Sequence, residues 1–334
     1  MTAADIHRSV SGGLFPGAKT GVSLLETHIS WVILTDEFAF KIKKPVRFDF
    51  LDFSTLELRR HFYQEELRLN RRLVPQMYLR VLPIGSKGGI GSDEPPLLDY
   101  ALQMRRMDNS REMDKLLLVN GVDASDMEHL AALLADFHLQ NRLTAAPAYS
   151  PDDDARDFAD LFALEADLAA LQVPGAGLLG SWATAIPAFL HTHAHRLEAR
   201  ARSGFWVEGH GDLHSRNIFL PKNEAPVVFD CLEFSPHFRR MDVLNELAFL
   251  CMDVEFFGHQ DLAEVFLKAY SGHWACFEKP EDALLFTYFK AYRANVRLKV
   301  ALLELRQHPN EALAQTARSY WTLLRRYISE LGAF

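Results

Sequence analysis

The chain has 334 residues, of which 49% are hydrophobic and 24% are charged, as in an ordinary globular protein. Its formal net charge of −8 disfavours electrostatic attraction to nucleic acid or to an anionic membrane. The start of the chain lacks the apolar stretch of a secretion signal, and no segment reaches the ~18 uninterrupted apolar residues of a membrane helix. The scattered residues Cys231, Cys251 and Cys276 indicate reduced thiols rather than disulfides. We therefore expect a cytoplasmic protein that binds neither nucleic acid nor membrane; the oligomeric state is left open.

A glycine-rich stretch near the start resembles a phosphate-binding P-loop but departs from its pattern. Residues 12–20 read GGLFPGAKT, and Ala18 separates Gly17 from Lys19. A P-loop also needs a strand before it and a long helix after it, so that backbone amides point at the phosphate. Neither pattern flanks this stretch, and we expect a flexible lead-in.

Two β-rich runs follow and predict a hairpin. Residues 29–34 read ISWVIL, residues 38–42 read FAFKI, and residues 35–37 form the turn. Lys41 ends FAFK, which has the shape of the kinase strand motif V-A-I-K that presents a phosphate-binding lysine. Lys43 lies on the same face because strand side chains alternate, so it remains an alternative to Lys41.

The segment before Lys41 lacks one feature that usually accompanies this lysine. Protein kinases carry a G-x-G-x-x-G loop there that covers the nucleotide phosphates, whereas residues 24–31 read LLETHISW. Thr27 and Ser30 are then the candidates for covering a phosphate. The choice between ATP and GTP stays open for the same reason.

A helix is predicted from the capping sequence at residues 54–57 to about Leu73. Glu66 falls at helical spacing on an otherwise apolar face of this helix. A carboxylate in such surroundings needs a partner, and we predict that it pairs with Lys41. Glu65 is the alternative acid, and a glutamate that simply faces solvent is the third interpretation.

Residues 79–84 and 97–104 give two more strand-like runs around a glycine-rich turn. The sequence QMRRM at 103–107 follows, and the resemblance of FAFK to the kinase strand motif implies that it is the hinge between two lobes. Its backbone groups would meet an adenine ring, so Met104 is a candidate for nucleotide binding. A small β-rich lobe is therefore predicted at residues 1–104 and a helical lobe at residues 105–334.

The helical part opens with an amphipathic helix at residues 125–143, in which His138 is predicted to be a core histidine. A mostly helical insertion at residues 150–206 follows. It begins with five aspartates, which fit a solvated helix start because negative charge is favoured there, and which could instead attract a cationic substrate. These aspartates are Asp152, Asp153, Asp154, Asp157 and Asp160.

The most informative stretch is residues 207–230, VEGHGDLHSRNIFLPKNEAPVVFD. It predicts a strand, a polar loop with His210, Asp212 and Asn217, and then a short hairpin that ends at Asp230. Such a hairpin can bring Asn217 and Asp230 together. An amide oxygen and a carboxylate suit Mg²⁺, which uses few protein ligands and keeps substrate phosphates in its shell. A nearby Asp212 would be available to take a proton from a hydroxyl group, which completes the residue set of a phosphoryl-transfer site.

This stretch resembles the catalytic core of the aminoglycoside phosphotransferase-like kinases, relatives of protein kinases and of choline and fructosamine kinases. The longer run from HGDLHSRNIFL through VVFDCLEFSPHFRRMDVLNELAFL resembles an uncharacterised bacterial branch whose members can carry an additional P-loop kinase domain. The resemblance implies a protein-kinase-like α+β fold with a small β-rich N-lobe and a larger helical C-lobe. No P-loop pattern follows in this sequence, so we expect the kinase-like module alone.

Two later features complete the set of candidate residues. Asp242 and Glu246 start an apolar helix at residues 243–252; in related kinases an acid at this place supports the catalytic loop, and we interpret Asp242 as structural. Lys290, Arg293 and Arg297 share one face of a later helix. They could bind a phosphate or carboxylate on the acceptor molecule, or they could pair with the surplus acids.

The sequence therefore predicts an ATP- and Mg²⁺-dependent transfer of phosphate to a hydroxyl group of a small molecule. In this interpretation Asp212 is the base, His210 shapes its loop, Asn217 and Asp230 hold Mg²⁺, and Lys41 contacts the phosphates. One alternative is a metal-dependent phosphoesterase built on His210, Asp212, His214 and Asp230. Another is a nucleotide-binding regulator with little catalysis, or a protein kinase acting on a partner.

Overall fold

The protein is described by a computed structural model that covers residues 1–11, 15–18, 21–48, 51–145 and 148–332. Of the P-loop-like stretch at residues 12–20, only residues 15–18 are described, so the expected lead-in lies mostly outside the described residues. None of the helices within these ranges combines the length and the apolar character needed to span a bilayer.

The chain divides into two compact units, each assembled from two stretches. The sheet unit comprises Met1–Glu112 and Asn217–Arg239. The helical unit comprises Met113–Arg216 and Arg240–Phe334. The lobe boundary after residue 104 stays a prediction. The sequence patterns did not indicate that residues 217–239 belong to the same compact unit as the first stretch.

The described part of the sheet unit is built on an antiparallel five-stranded sheet with strand order β1-β2-β3-β7-β6. Its strands and helices are α1 Ala3–Ser11, β1 Ser23–Glu26, β2 Ser30–Leu34, β3 Phe38–Lys43, β4 Arg47–Phe48, β5 Leu51–Asp52, α2 Leu56–Asn70, β6 Tyr78–Ile84, β7 Asp99–Arg105, β9 Ile218–Phe219, β10 Val227–Val228 and α8 Pro236–Arg239. The predicted hairpin between β2 and β3 is present. Thr35 closes its turn, since its hydroxyl accepts from the Phe38 amide at 3.0 Å.

The alternation of side chains along β3 decides which face of the sheet each residue occupies. Phe40 and Ile42 join a buried apolar cluster with Ile33 of β2 and Ile6 of α1. Lys41 therefore lies on the opposite face of the strand, as does Lys43. Helix α1 and strand β1, which the sequence patterns did not indicate, cover the apolar face and extend the sheet beyond β2.

Helix α2 begins at the predicted place and ends slightly earlier than predicted. Its N-cap is Thr55, whose hydroxyl accepts from the Leu58 amide at 3.2 Å. The helix ends at Asn70, three residues before the predicted end at Leu73. It packs against β6 and β7, and Glu66 is completely buried.

The helical unit consists of β8 Trp206–Glu208, β11 Arg240–Asp242 and, among its described residues, the helices α3 Met113–Leu118, α4 Ala124–Gln140, α5 Pro151–Ala159, α6 Glu165–Ala170, α7 Leu179–Arg202, α9 Val243–Phe256, α10 Gln260–His273, α11 Pro280–Gln307 and α12 Glu311–Glu330. The apolar helix α9 packs against α10, α11 and α12. Strand β8 pairs with β11, and this pairing joins the strand before the polar loop to the start of α9.

Candidate functional site

A chain of buried ion pairs lies on the lysine face of the sheet unit. The Lys41 Nζ is 2.8 Å from Glu66 Oε1 and 2.6 Å from Asp230 Oδ1. The predicted contact between Lys41 and Glu66 is therefore present. Glu65, the alternative acid, instead pairs with Arg68 on a more exposed part of α2.

The second lysine of β3 takes part in the same cluster. The Lys43 Nζ lies 2.5 Å from Glu66 Oε2 and also contacts the carboxylate of Glu233. Lys43 is fully buried, and its Nζ lies 4.7 Å from the centre of the Phe53 ring. Both lysines thus share Glu66, one through each carboxylate oxygen. Lys41 and Lys43, the two candidates for the lysine that pairs with the acid of α2, therefore both contact Glu66.

Burial and mutual attraction act in opposite directions on these groups. Burial alone would lower the pKa of Lys41, but Asp230 and Glu66 outweigh it and raise that pKa well above its ordinary value. Burial alone would raise the pKa of Glu66, but the two lysines lower it to about 2. Burial raises the pKa of Glu233, and Lys43 offsets this only in part.

The predicted hairpin after the polar loop is formed by β9 and β10. Ile218 pairs with Val228, and the Phe229 amide donates to the Asn217 carbonyl at 3.0 Å. Asp230 follows directly, so both proposed metal ligands lie at one end of the hairpin. Asp230 has a φ of 63°, a left-handed conformation that Asp and Asn tolerate better than most residues.

A cavity of about 360 Å³ adjoins these residues within the sheet unit. Its wall is largely apolar and includes Met104, and it also includes Lys41 and Asp230. Thr27 and Ser30 line it as well, and they bond to each other in the turn between β1 and β2. The volume falls in the range of small-ligand pockets, roughly 300–1,000 Å³. All five nucleotide-binding candidates therefore lie at this cavity or, in the case of Glu66, support it through Lys41.

In the helical unit, one buried carboxylate holds the backbone of the polar loop. Glu246 Oε1 accepts from the amides of His210 and Gly211 at 2.6 and 2.7 Å. Its Oε2 lies 2.8 Å from His138 Nε2, and His138 Nδ1 lies 2.8 Å from the Tyr270 hydroxyl. His138 is thus a core histidine, as predicted, but it has the specific task of orienting Glu246.

Asp242 has a structural role different from holding this loop. It caps α9 by accepting from the Leu244 amide at 2.9 Å, and it forms a buried bidentate ion pair with Arg200. The contacts with the amides of His210 and Gly211 belong to Glu246, one turn further along α9. The sequence contained a signal for this residue, because an acid within the apolar run of α9 needs a partner.

Asp212 projects from the loop with its side chain 41% exposed. Partial burial raises the pKa of Asp212, but His214, Arg297 and His210 more than offset this and hold that pKa well below its ordinary value. Its Oδ2 lies 3.3 Å from His214 Nε2. The Asp212 amide donates to His210 Nδ1, so His210 stabilises the turn of the loop. An ionised, accessible carboxylate can accept a hydrogen bond from a hydroxyl group.

The three cations of α11 have different surroundings. Lys290 forms an ion pair with Glu255 at 2.9 Å, which is the acid-pairing alternative. Arg293 is buried and donates to Asn245 Oδ1 at 2.7 Å, and burial lowers its pKa. Arg297 donates to the Tyr320 hydroxyl at 3.3 Å. Neither arginine forms an ion pair with a carboxylate in the described part of the chain, although both lie within electrostatic reach of Asp212.

The aspartates of the insertion differ in environment. Asp152 and Asp153 are exposed in the first turn of α5, which Ser150 caps, as predicted for a solvated helix start. The prediction is wrong for Asp157 and Asp160, which lie in the last turn and at the C-cap of the same helix. Asp154 is partly buried and accepts from the Tyr149 hydroxyl at 3.1 Å. Burial raises the pKa of Asp154 to about 7, with Asp157 and Asp153 contributing in the same direction.

The donor set at the hairpin fits a magnesium ion. Asn217 is 8% exposed and Asp230 keeps 41% of its side chain exposed, so a carboxylate remains accessible at the cavity. Mg²⁺ prefers oxygen ligands and is often held by one or two carboxylates with substrate phosphates and waters. Within the described ranges, no group of three or more His, Cys, Asp or Glu side chains is arranged to hold a metal by itself.

The chain is similar to proteins that are longer than itself. It is 32% identical over 303 residues to uncharacterized proteins of Mycobacterium tuberculosis (strain H37Rv) and Mycobacterium bovis. The match covers 89% of this chain and 58% of each relative, so the chain spans little more than half the length of these curated relatives. No family model matches the chain.

Solved structures show the fold. A choline/ethanolamine kinase family protein from Mesorhizobium loti gives a TM-score of 0.55 at 14% identity, covering 99% of this chain and 96% of that one. A choline kinase from Cryptosporidium parvum gives 0.54 at 10% identity, with 99% and 98% covered. The GDP complex of aminoglycoside 2′-phosphotransferase-IIIa gives 0.56 at 12% identity, with 98% and 99% covered.

The chain therefore has the protein-kinase-like fold that aminoglycoside phosphotransferases and choline/ethanolamine kinases share. This confirms the protein-kinase-like fold that the resemblance predicted. That members of the resembling branch can carry an additional P-loop kinase domain stays a prediction.

Proposed function

We propose that the protein is a phosphotransferase that moves the terminal phosphoryl group of ATP to a hydroxyl group of a small molecule, with Mg²⁺ as cofactor. The observation that carries the proposal is the buried contact of Lys41 with Glu66 and Asp230 at a cavity in the sheet unit. Two lysines and three carboxylates in one cluster are weak evidence for stability, since apolar residues of similar volume often stabilise a buried site as well. A phosphate-binding role accounts for them.

The residues of the sheet unit would bind the donor. Lys41 would contact the nucleotide phosphates, and Glu66 would hold the lysine in place. Thr27 and Ser30 would lie near the phosphates, and the apolar wall with Met104 would take the base, with GTP as the alternative donor. Asn217 and Asp230 would hold Mg²⁺, which neutralises phosphate charge when bound.

The helical unit would supply the group that acts on the acceptor. Asp212 would accept the hydrogen bond of the attacking hydroxyl and take its proton as the oxygen–phosphorus bond forms. The bond between the terminal phosphorus and the bridging oxygen breaks, and ADP leaves with that electron pair. His210 contributes by fixing the loop. This chemistry relies on positioning and charge, which suits residues held by buried anchors.

The acceptor is proposed only as a small molecule with a hydroxyl group. Arg293 and Arg297 are the candidates for binding an anionic group on it, because neither is neutralised by an ion pair among the described residues. Lys290 is a weaker candidate, since Glu255 already neutralises it.

Nucleotide binding by the purified chain is the first test. We expect ATP with Mg²⁺ to raise the melting temperature, and Asp230→Asn to remove the Mg²⁺-dependent part of that rise; Asn is chosen because it tolerates the φ of 63°. Glu65→Gln, on the exposed face of α2, serves as the matched control. With a hydroxyl-compound panel, Asp212→Asn should lower ADP release by about 10²–10⁴-fold while ATP binding persists. No shift with ATP or GTP, or unchanged turnover in Asp212→Asn, would refute the proposal.

A further inference from the structure

Lys43 and Glu233 form a buried ion pair that the proposed chemistry does not use directly. Both side chains are almost completely buried, at 0% and 5% exposure, and Lys43 also binds the oxygen of Glu66 that Lys41 leaves available. A buried ion pair contributes little net stability, because desolvation opposes the attraction. Its presence beside the phosphate-binding lysine therefore calls for a role in positioning.

The segment from Asp230 to Glu233 is fixed at every residue. The Asp230 amide donates to the Tyr78 hydroxyl at 3.0 Å, and the Cys231 amide donates to Asn70 Oδ1 at 2.8 Å. The buried Arg239 guanidinium donates to the carbonyls of residues 232 and 233. The Glu233 carboxylate adds a side-chain link to β3 through Lys43. The segment that carries Asp230 is thus tied to the strand that carries Lys41.

The charges of the cluster suggest why this link is present. Lys41 and Lys43 face Glu66, Glu233 and Asp230, so two positive charges meet three negative ones. Without Asp230 the remaining four charges balance. Asp230 is also the exposed member, at 41%, whereas Glu66 and Glu233 are buried. A balanced group of four lets Lys41 exchange Asp230 for an anionic ligand without leaving an unpaired charge in the interior.

We propose that Lys43 and Glu233 are positioning residues for nucleotide binding: they hold Glu66 and the Asp230 segment so that Lys41 can bind the phosphates. This inference rests on the proposed function. It assigns to Glu233, which follows Asp230 by three residues, a role that acts through Lys41 and not through contact with the nucleotide. Its signature is a loss of affinity for the phosphates and not for the base.

The experiment compares binding of Mg·ATP and of adenosine by calorimetry. Glu233→Gln keeps the shape of the side chain and removes its charge, and Glu65→Gln is the control on an exposed ion pair. We expect the dissociation constant for Mg·ATP to rise about tenfold or more in Glu233→Gln, while that for adenosine changes less than twofold. Equal weakening for both ligands would indicate a general structural role and overturn the proposal.

A double-mutant cycle tests whether the effect passes through Lys41. Lys41→Met should weaken Mg·ATP binding strongly in the wild-type background and much less in the Glu233→Gln background. Additive losses would overturn the proposal. Should Glu233→Gln fail to fold, Lys43→Met with Glu233→Leu replaces the pair by apolar residues, which often preserves stability. Wild-type Mg·ATP affinity in that folded double variant would also overturn it. Absence of nucleotide binding by the wild type would instead refute the proposed function.

Discussion

Replacing Glu246 gives the sharpest test of how the polar loop is held. Glu246 is 1% exposed, and its carboxylate accepts two backbone N–H groups of the loop and contacts one histidine nitrogen, at 2.6, 2.7 and 2.8 Å. Glu246→Ala would leave all three groups without this partner inside the helical unit. We expect the variant to lose stability for this reason, before any question of function arises.

The magnitude follows from the cost of unsatisfied buried groups. Each buried donor without a partner costs about 1–3 kcal/mol, and removing one side of a buried charged contact costs about 3–5 kcal/mol in total. We expect Glu246→Ala to lower the free energy of unfolding by about 3–5 kcal/mol. Glu246→Gln keeps an acceptor for the two amides and should lose about 1–2 kcal/mol, since charged hydrogen bonds exceed neutral ones by roughly that amount.

Urea unfolding followed by tryptophan fluorescence measures this loss. The helical unit contains Trp182, Trp206, Trp274 and Trp321, so the signal reports mainly on the correct part of the chain. Glu264→Ala, on the exposed side of α10, is the control and should change stability by less than about 0.5 kcal/mol. A Glu246→Ala variant within 1 kcal/mol of wild type would refute the reasoning.

The pH dependence of the Glu246→Gln difference provides a second check. Burial alone would raise the pKa of Glu246, but His138 and the loop contacts lower it below its ordinary value of 4.5. The charge therefore stabilises the fold fully above about pH 4.5, and this contribution is lost as the pH falls through the lower folded-state pKa. The difference between wild type and Glu246→Gln should accordingly shrink in acid.

Two further predictions concern single positions in the helical unit. A Cβ added at Gly209 would overlap the Glu246 carboxylate. Gly209→Ala should therefore lower the free energy of unfolding by about 2–4 kcal/mol in the same urea assay. An unchanged free energy of unfolding would contradict this close packing of Glu246 against the loop. Burial raises the pKa of Asp154 from 3.8 to about 7. The free energy of unfolding of the wild type should therefore fall as the pH rises from about 4 to 7, and stay constant above that. Asp154→Asn should remove part of that slope and gain about 2–4 kcal/mol at pH 8; no gain at pH 8 would contradict the assigned burial.

The sequence predicted those features that local patterns encode. The β2–β3 hairpin follows from two short β-rich runs with a turn at Thr35. The pairing of Lys41 with Glu66 follows from the alternation of side chains along the strand and from the helical spacing of the apolar residues around Glu66. Both periods fix side-chain direction within a few residues. The same rule placed Lys43 beside Lys41, but it could not show that Glu66 has an oxygen for each lysine.

Features that depend on distant partners were not predicted. No local pattern indicates the contact of Glu233 with Lys43, because the two residues are 190 positions apart in the chain. Asp242 and Glu246 both lie near the start of one helix, and the sequence does not show which of them faces the loop, because packing decides it. The conformation of Asp230 is set by the anchors around it, and backbone strain of this kind accumulates where surrounding contacts determine it.

The two buried glutamates differ in the kind of partner they hold, and this difference bears on function. Glu246 receives two backbone amides, which cannot leave without moving the chain, so it holds the backbone of the loop that carries Asp212. Glu66 receives two lysine side chains, and Lys41 at the same time reaches the exposed carboxylate of Asp230. A side-chain ammonium group can exchange partners by rotating about its own bonds. The proposed donor site can therefore respond to a ligand, whereas the proposed base stays in place before any ligand arrives, which is the preorganisation that electrostatic catalysis requires.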